Sequence, residues 1–354
     1  MALILLVISV GLFFTLAIPL PSWRTGRVDL PPLDLVQGGP RVAISNRMWI
    51  DSDAACGATP TTDPDDCLAV AWLAAQGVNI VGISTSYGNA EAPVVQDTLV
   101  ALGRRLANSE RPPIPIWRGA AGPLSNATPS TLQGPAALRE ALAQGPLTII
   151  ALGPLTNIAA ALQNRPDLQR KVVRLIAVMG HRPGHIFHPS EGSGEGMLLG
   201  HGPIFRDLNF FKDPEAARSV LAMKLPVTLV PYDAARRIRI AQDGLSRLAQ
   251  RGPAFAWAAE RAQGWLNYWQ TEIGQPGFYP FDWAAAAYAL KPELFSCTEA
   301  DAWIANEWRL WLIPSPSLLV GPAGAGEPAA KHRVIYCPQA DPSLHDVLIG
   351  HSGP

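Results

Sequence analysis

The chain has 354 residues, 28 Lys and Arg against 29 Asp and Glu, a net charge of −1 and a hydrophobic share of 48%. This length supports a sizeable core, as one large α/β domain or two small ones. The balanced charge excludes the polyelectrolyte attraction that nucleic acid or anionic lipid would need. Charged residues are only 16% of the chain, below the roughly 25% usual in soluble proteins.

Part of that shortfall lies in residues 2–23, ALILLVISVGLFFTLAIPLPSW, which carry no charge and are long enough to span a bilayer as a helix. No basic residue precedes the apolar run and no clear small-x-small cleavage site follows it. The segment therefore reads as an uncleaved anchor, with a cleaved signal peptide or a buried apolar arm as alternatives. Arg24 and Arg27 follow it, which by the positive-inside rule leaves the body in the cytoplasm; a secreted or periplasmic body is the competing placement. Residues 24–40, RTGRVDLPPLDLVQGGP, read as a Pro/Gly linker, and 41–354 as a single domain.

In chain order, β-branched runs predict strands at 41–51, 79–88, 113–119, 147–153, 172–180, 226–233, 301–308 and 332–337. Between them, Ala/Leu-rich runs of helical period predict helices at 67–77, 95–108, 136–145, 155–165, 213–224 and 281–295. A further helical stretch, 243–270, is broken into two by Gly252-Pro253. This alternation specifies βαβ units and an α/β fold: an open, mainly parallel sheet flanked by helices, with a Rossmann-like core.

The strand ends DSD, STSYGN, WRG, LGPLTN, VMGH and VPYD place polar residues or glycine where apolar runs stop. Open parallel sheets bind ligands at the carboxyl ends of their strands, so Asp53, Asn89, Asn157 and Asp233 are expected to line a small-molecule pocket. The densest such end is WIDSDAACGATPTTDPDDCLAV, residues 49–70, with Asp51, Asp53, Asp63, Asp65 and Asp66. Helix capping accounts for Asp65 or Asp66 but not for Asp51 and Asp53 at the same sheet edge. A hard cation with oxygen ligands accounts for all of them by offsetting their repulsion.

Cys56, Cys67, Cys297 and Cys337 lack the CxxC spacing of zinc sites. In an oxidising space Cys56 with Cys67 would staple the aspartate loop and Cys297 with Cys337 would tie two late segments; free core thiols are the alternative. The tripeptide Asn126-Ala127-Thr128 is a glycosylation sequon relevant only to a eukaryotic secretory route.

The chain resembles the nucleoside hydrolase family, the inosine-uridine preferring nucleoside N-ribohydrolases. Asp51-Ser52-Asp53 and Asp65-Asp66-Cys67-Leu68-Ala69 match the two ends of that family's DxDPGxDD motif, separated here by an insertion. STSYGN, ALGPLTNIAAAL, RLIAVMG, DLNFFKDPEAARSVL with LPVTLVPYD, and FDWAAAAYALKPELF match later segments in the family's order, from about residue 47 to the end.

The resemblance implies the nucleoside hydrolase fold and calcium-dependent cleavage of the N-glycosidic bond of a ribonucleoside or related riboside. It implies calcium ligation by Asp53, Asp66, the Leu152 carbonyl and Asp282, with Asp53 also the general base. Asp65, Asn89, Asp207 and Asn209 would hold ribose hydroxyls, with Met179 packed at the sugar. The partner is a small nucleoside, and a homo-oligomer is compatible with the resemblance.

Two departures from the family pattern stand out. The insertion AACGATPTTDP between Asp53 and Asp65 bears on the placement of the base and makes Asp63 a rival ligand. Where many members carry a histidine thought to protonate the leaving base, this chain has Phe281, which with Tyr279 and Trp283 could stack on the base instead. The Gly-rich segment 179–203 holds His181, His185, His188 and His201, four of the seven histidines, and suggests a lid that could lend a histidine or Arg182 as the acid. A non-catalytic riboside binder is the alternative function. A phosphatase of the haloacid dehalogenase type, with Asp51 as nucleophile, would leave Asp65, Asp66 and LGPLTN without a role.

Overall fold

The computed structural model describes residues 30–107, 112–126, 132–184, 207–309, 313–324 and 331–350. The apolar segment 2–23 and His185, His188 and His201 lie outside them. Strands β1 (Val36–Gln37), β2 (Arg47–Ser52), β3 (Asn79–Thr85), β4 (Ile116–Trp117), β5 (Leu147–Ala151), β6 (Val172–Ala177), β7 (Val227–Leu229), β8 (Phe295–Arg309), β9 (Ile313–Pro322) and β10 (His332–Ala340) form one sheet. Its order is β1-β8-β10-β7-β6-β5-β2-β3-β4, with β9 also paired to β8. From β10 to β4 neighbours run parallel, while β8 is antiparallel to β1, β9 and β10.

Side chains alternate across the central strands. Met48, Ile50, Ile150 and Ile176 enter one core, and Trp49, Ile149, Ala151, Leu175 and Ala177 enter the other. Helices cover both faces, as a parallel sheet requires. They include α1 (Asp65–Ala75), α2 (Ala92–Leu106), α3 (Gln133–Gln144), α4 (Thr156–Leu162), α5 (Leu208–Lys212), α6 (Pro214–Ala222), α7 (Gln242–Ala249), α8 (Pro253–Tyr268) and α9 (Phe281–Tyr288), with short helical turns at Pro166–Gln169 and Leu344–Ile349. The expected break between α7 and α8 falls at Gly252, whose φ of +128° favours glycine.

Several expected strands differ in extent, and the one at 41–51 begins only at Arg47. Only Ile116–Trp117 of 113–119 pairs, because Pro113 and Pro115 lack the N–H a longer ladder would need, at a sheet edge where proline is tolerated. The run at 226–233 leaves the sheet after Leu229 and turns at Pro231 into a 3-10 helix, Tyr232–Arg237. The strand expected at 301–308 extends over Phe295–Arg309 and pairs with β9. β9 was not expected because Pro314, Pro316 and Pro322 mask a strand that pairs with β8 along one side and, among the described residues, bridges only to His181 on the other.

Within the segment 24–40, Val36–Gln37 adds a short strand against Ser296 and Cys297. The strand is pinned by Gln37 Nε2 donating to the Glu293 carbonyl at 2.7 Å. The four cysteines form two pairs, Cys56–Cys67 and Cys297–Cys337, and no free cysteine remains.

The chain runs outward from β2 to β3 and β4, returns to β5 beside β2, and continues to β6 and β7 on the other side. The strand order thus reverses between β2 and β5. Ligands bind at such reversals, outside the carboxyl ends of the strands. Leu152 N donates to the Asp51 carbonyl at 2.8 Å and joins these two strand ends.

Candidate active site

At that reversal β2 presents Asp51, Ser52 and Asp53 with different surroundings. Asp51 is fully buried and accepts from Ser84 Oγ and from Asn157 Nδ2. Burial raises its pKa to about 7 against those hydrogen bonds. Thus enclosed, Asp51 is a support within the fold, which removes the phosphatase reading that needs it as an exposed nucleophile. Ser52 turns the other way and donates to Asp66 Oδ1. Asp53, 2% exposed, accepts from Asn89 N at 2.8 Å through Oδ2.

Asn89 reaches Asp53 because Gly88 precedes it: a Cβ on Gly88 would stand 1.8 Å from Asp53 Oδ2. Only glycine permits that approach. The STSYGN strand end therefore delivers a backbone donor to Asp53. Asn89 itself also donates through Nδ2 to the Asp63 carbonyl at 3.3 Å.

Asp65 and Asp66 open α1, and Asp282 sits in the first turn of α9. Ala284, Ala285, Ala286 and Ala287 are fully buried, and their small side chains let α9 pack closely on α1. Two helix N-termini thus meet at the carboxylates, each favouring negative charge by roughly 0.3–1 kcal/mol. Asp282 N donates to Asp65 Oδ2 at 2.6 Å. One oxygen from each of Asp65, Asp66 and Asp282 lies within 4.8 Å of the others.

Burial, and after it the neighbouring carboxylates, pushes Asp53 and Asp282 well above the usual carboxylate range and Asp66 to about 7. Asp65 is raised by burial as well, against hydrogen bonds that lower it. Capping satisfies part of this set, through Ser52 to Asp66 and Asp282 N to Asp65. It leaves Asp65 Oδ1, Asp66 Oδ2 and Asp282 Oδ1 buried without a hydrogen-bond partner among the described residues. Buried carboxylate oxygens without donors are costly unless a cation takes them. The three residues offer carboxylate oxygens, which suit a hard divalent ion.

The other expected residues stand around this cluster with other partners. Asn209 donates to the Leu152 carbonyl at 2.7 Å and to the Val178 carbonyl at 3.1 Å. A carbonyl oxygen has two lone pairs, so Leu152 retains one for a ligand. Asp207 caps α5 by accepting from Phe210 N at 3.1 Å, and accepts from Gly180 N at 2.7 Å. Met179, 1% exposed, lies in the core cluster with Phe210. Asn157, expected at the pocket, is instead fully buried: its amide accepts from Ala120 N and donates to Asp51 and to the Thr85 carbonyl. Asp233 pairs with Arg236 at 3.6 Å.

Phe281 forms an aromatic wall beside Asp282. Its ring lies 6.1 Å from Tyr279 and 6.2 Å from Tyr232, both edge-on, and Trp269 is 5.0 Å from Tyr279. Arg239 Nη2 donates to the Tyr279 hydroxyl at 3.3 Å. Trp283 is fully buried, which takes it out of the expected stacking set. His181 is also fully buried and pairs through Nε2 with Glu307 Oε2 at 2.7 Å, so β8 anchors the start of the Gly-rich segment.

Sequence reasoning missed Ser52 and Gly88 as parts of the site. Ser52 was legible as the one polar residue between Asp51 and Asp53, on the opposite strand face by period two.

With the geometry in place, comparison with known proteins defines the class. The family model for inosine-uridine preferring nucleoside hydrolase matches residues 48–310, and the chain belongs to that family of nucleoside N-ribohydrolases. The chain is 30% identical over 273 residues to the pyrimidine-specific ribonucleoside hydrolase RihA of Enterobacter sp. (strain 638), covering 69% of this chain and 80% of that protein. It is 28% identical over 274 residues to its namesake from Escherichia coli O9:H4 (strain HS), covering 69% and 81%.

Among solved structures, the plant nucleoside hydrolase PpNRh1 superposes with a TM-score of 0.65 at 19% identity, over 86% of this chain and 97% of that one. The purine-preferring ribonucleoside hydrolase from Gardnerella vaginalis gives 0.62 at 16% identity, over 86% and 96%. These two likenesses carry the nucleoside hydrolase fold.

Proposed function

We propose that this protein hydrolyses the N-glycosidic bond of ribonucleosides or related ribosides with calcium as cofactor, releasing base and ribose. The observation that carries the reading is the set of three buried carboxylate oxygens on Asp65, Asp66 and Asp282, without a hydrogen-bond partner among the described residues, at the strand-order reversal.

Asp53, Asp66, Asp282 and the Leu152 carbonyl would hold the ion. The chemistry calcium supplies when bound is positive charge at the point of attack. Asp53 accepts the proton of the attacking water, oriented by Asn89 N on Oδ2. The water oxygen bonds to the anomeric carbon, the C–N bond breaks, and the base departs with its electron pair. Asp65, Asn89, Asp207 and Asn209 hold the ribose hydroxyls with Met179 at the sugar, which orients the ring for attack. Phe281 gives the departing base an apolar aromatic wall and donates no proton, and Tyr279 and Tyr232 bring hydroxyls to that wall.

The similarity to pyrimidine-specific relatives favours pyrimidine ribonucleosides as substrates. Release of free base from uridine, cytidine, inosine and adenosine, in calcium and in chelator, tests this. Calcium-dependent release with uridine or cytidine fastest is expected; binding of ribosides without any release would establish the binder instead.

Both cystine pairs support a body facing an oxidising compartment, against the placement suggested by Arg24 and Arg27. We therefore assign residues 2–23 to export or anchoring, with the hydrolase domain on the outer side. Alkylation of thiols during cell lysis would leave all four cysteines unlabelled.

A further inference from the structure

The insertion between Asp53 and Asp65 is held away from the carboxylates over most of its length and returns to them at its end. Ala54, Ala55 and Cys56 are buried, and Cys56 is bonded to Cys67 in the first turn of α1. Gly57, at φ +70°, backs onto Arg261 of α8. Pro60 lies against Gly264, where a Cβ would come within 2.8 Å of its backbone. Thr59 and Thr62 close the loop on itself, their hydroxyls 2.7 Å apart.

The loop then delivers Asp63. Its Oδ1 accepts from Asp65 N at 3.2 Å, and its carbonyl accepts from Asn89 Nδ2 at 3.3 Å. Asn89 is the same residue that holds Asp53. The bond from Asp65 N holds the Asp63 carboxylate beside the start of α1, where Asp65 and Asp66 stand. Neighbouring carboxylates are relieved by a shared proton or a shared cation. Asp63 keeps partial exposure, while beside it Asp65 Oδ1 is buried and partnerless.

We propose that Asp63 supplies an additional carboxylate to the cation held by the cluster, so that the insertion adds a ligand in place of the family's short turn. This rests on the calcium reading above and goes beyond it, because the matched motif contains no counterpart of Asp63. A further carboxylate raises the charge of the site, and in oxygen-ligand sites ligand charge count tunes affinity. The Cys56–Cys67 bond and the Gly57 and Gly264 contacts then serve to aim Asp63.

The test is calcium and terbium binding, by calorimetry and by terbium luminescence, in the wild type, Asp63→Asn, Asp63→Ser and Asp243→Asn. Serine retains an acceptor for Asp65 N and removes the charge. Asp243, on the outer face of α7 and paired with Arg247, is the control for lost surface charge. The expected result is calcium affinity at least roughly tenfold weaker in both Asp63 variants, a larger loss for terbium, unchanged affinity in the control, and no drop in metal-free melting temperature for Asp63→Ser. Affinities of the Asp63 variants within twofold of wild type, with metal-free melting lowered, would reduce Asp63 to a loop cap and overturn the proposal. A wild type that binds neither ion would overturn the calcium reading itself.

Discussion

Asp282 N donates to Asp65 Oδ2 at 2.6 Å across a separation of 217 residues. The N-termini of α1 and α9 are joined through this bond, so the carboxylates of Asp65, Asp66 and Asp282 are assembled by the fold and not by a continuous motif. These carboxylates repel, and one oxygen of each, Asp65 Oδ1, Asp66 Oδ2 and Asp282 Oδ1, is buried without a donor among the described residues. A cation would turn that arrangement from a cost into a source of stability.

Substitution of Asp282 by Asn keeps the backbone donor and removes one charge. The metal-free variant is expected to melt no lower than the wild type, since a buried repulsion is relieved. Calcium at a hundredfold excess over its Kd stabilises the wild type by about 2.7 kcal/mol, and most of that increment is expected to vanish in the variant. Thermal unfolding with and without calcium measures both.

The pKa shifts give a pH dependence of stated sign. Asp51 and Asp66 are raised to about 7 by burial, with the Asp65 charge adding at Asp66. A carboxyl raised on folding contributes stability below its unfolded pKa that is lost as pH rises through the folded one. Metal-free protein is therefore expected to lose stability between about pH 4 and pH 7. Calcium opposes that loss, so its stabilisation grows over the same window and its binding releases protons. Denaturant unfolding at pH 5 and pH 8, with and without calcium, reads the sign directly.

Gly88→Ala places a Cβ where Asp53 Oδ2 stands. Displacement of a catalytic group by about 1 Å costs on the order of a hundredfold in rate, and a loss of that size in kcat is expected while the far-UV circular dichroism is unchanged. Steady-state assay of the purified variant checks this.

Replacing Cys56 and Cys67 together by Ser opens a cross-link between positions 11 residues apart. Loss of a disulfide removes roughly 2–4 kcal/mol, and the inserted loop becomes free to move Asp63. Both a lower melting temperature and weaker calcium binding are expected. The Cys297–Cys337 double variant should lower melting without changing affinity, because that pair lies in β8 and β10.

The parallel core was legible because its strands are short β-branched runs that stop at polar residues or glycine, as in LTIIALG, whose strand is buried at every position. β9 was not, since its prolines suppress the strand signal at an edge where they cost nothing. In the site, Asp53, Asp65 and Asp66 could be read from crowding alone. Asp282, more than 200 residues away in the chain, needed the family resemblance, because on pattern it is only a helix-start carboxylate. The burial of Asn157 was hidden for a related reason: a polar residue after a strand signals a pocket, but here it satisfies Asp51 beneath one.

Asp53 as the base of a working hydrolase is tested by the ribose released from uridine in saturating calcium by the wild type and by Asp53→Asn. Steady release is expected from the wild type, with a loss of at least about a hundredfold in the variant, which should still bind riboside. Equal release by both proteins, or none by either, would contradict that role for Asp53.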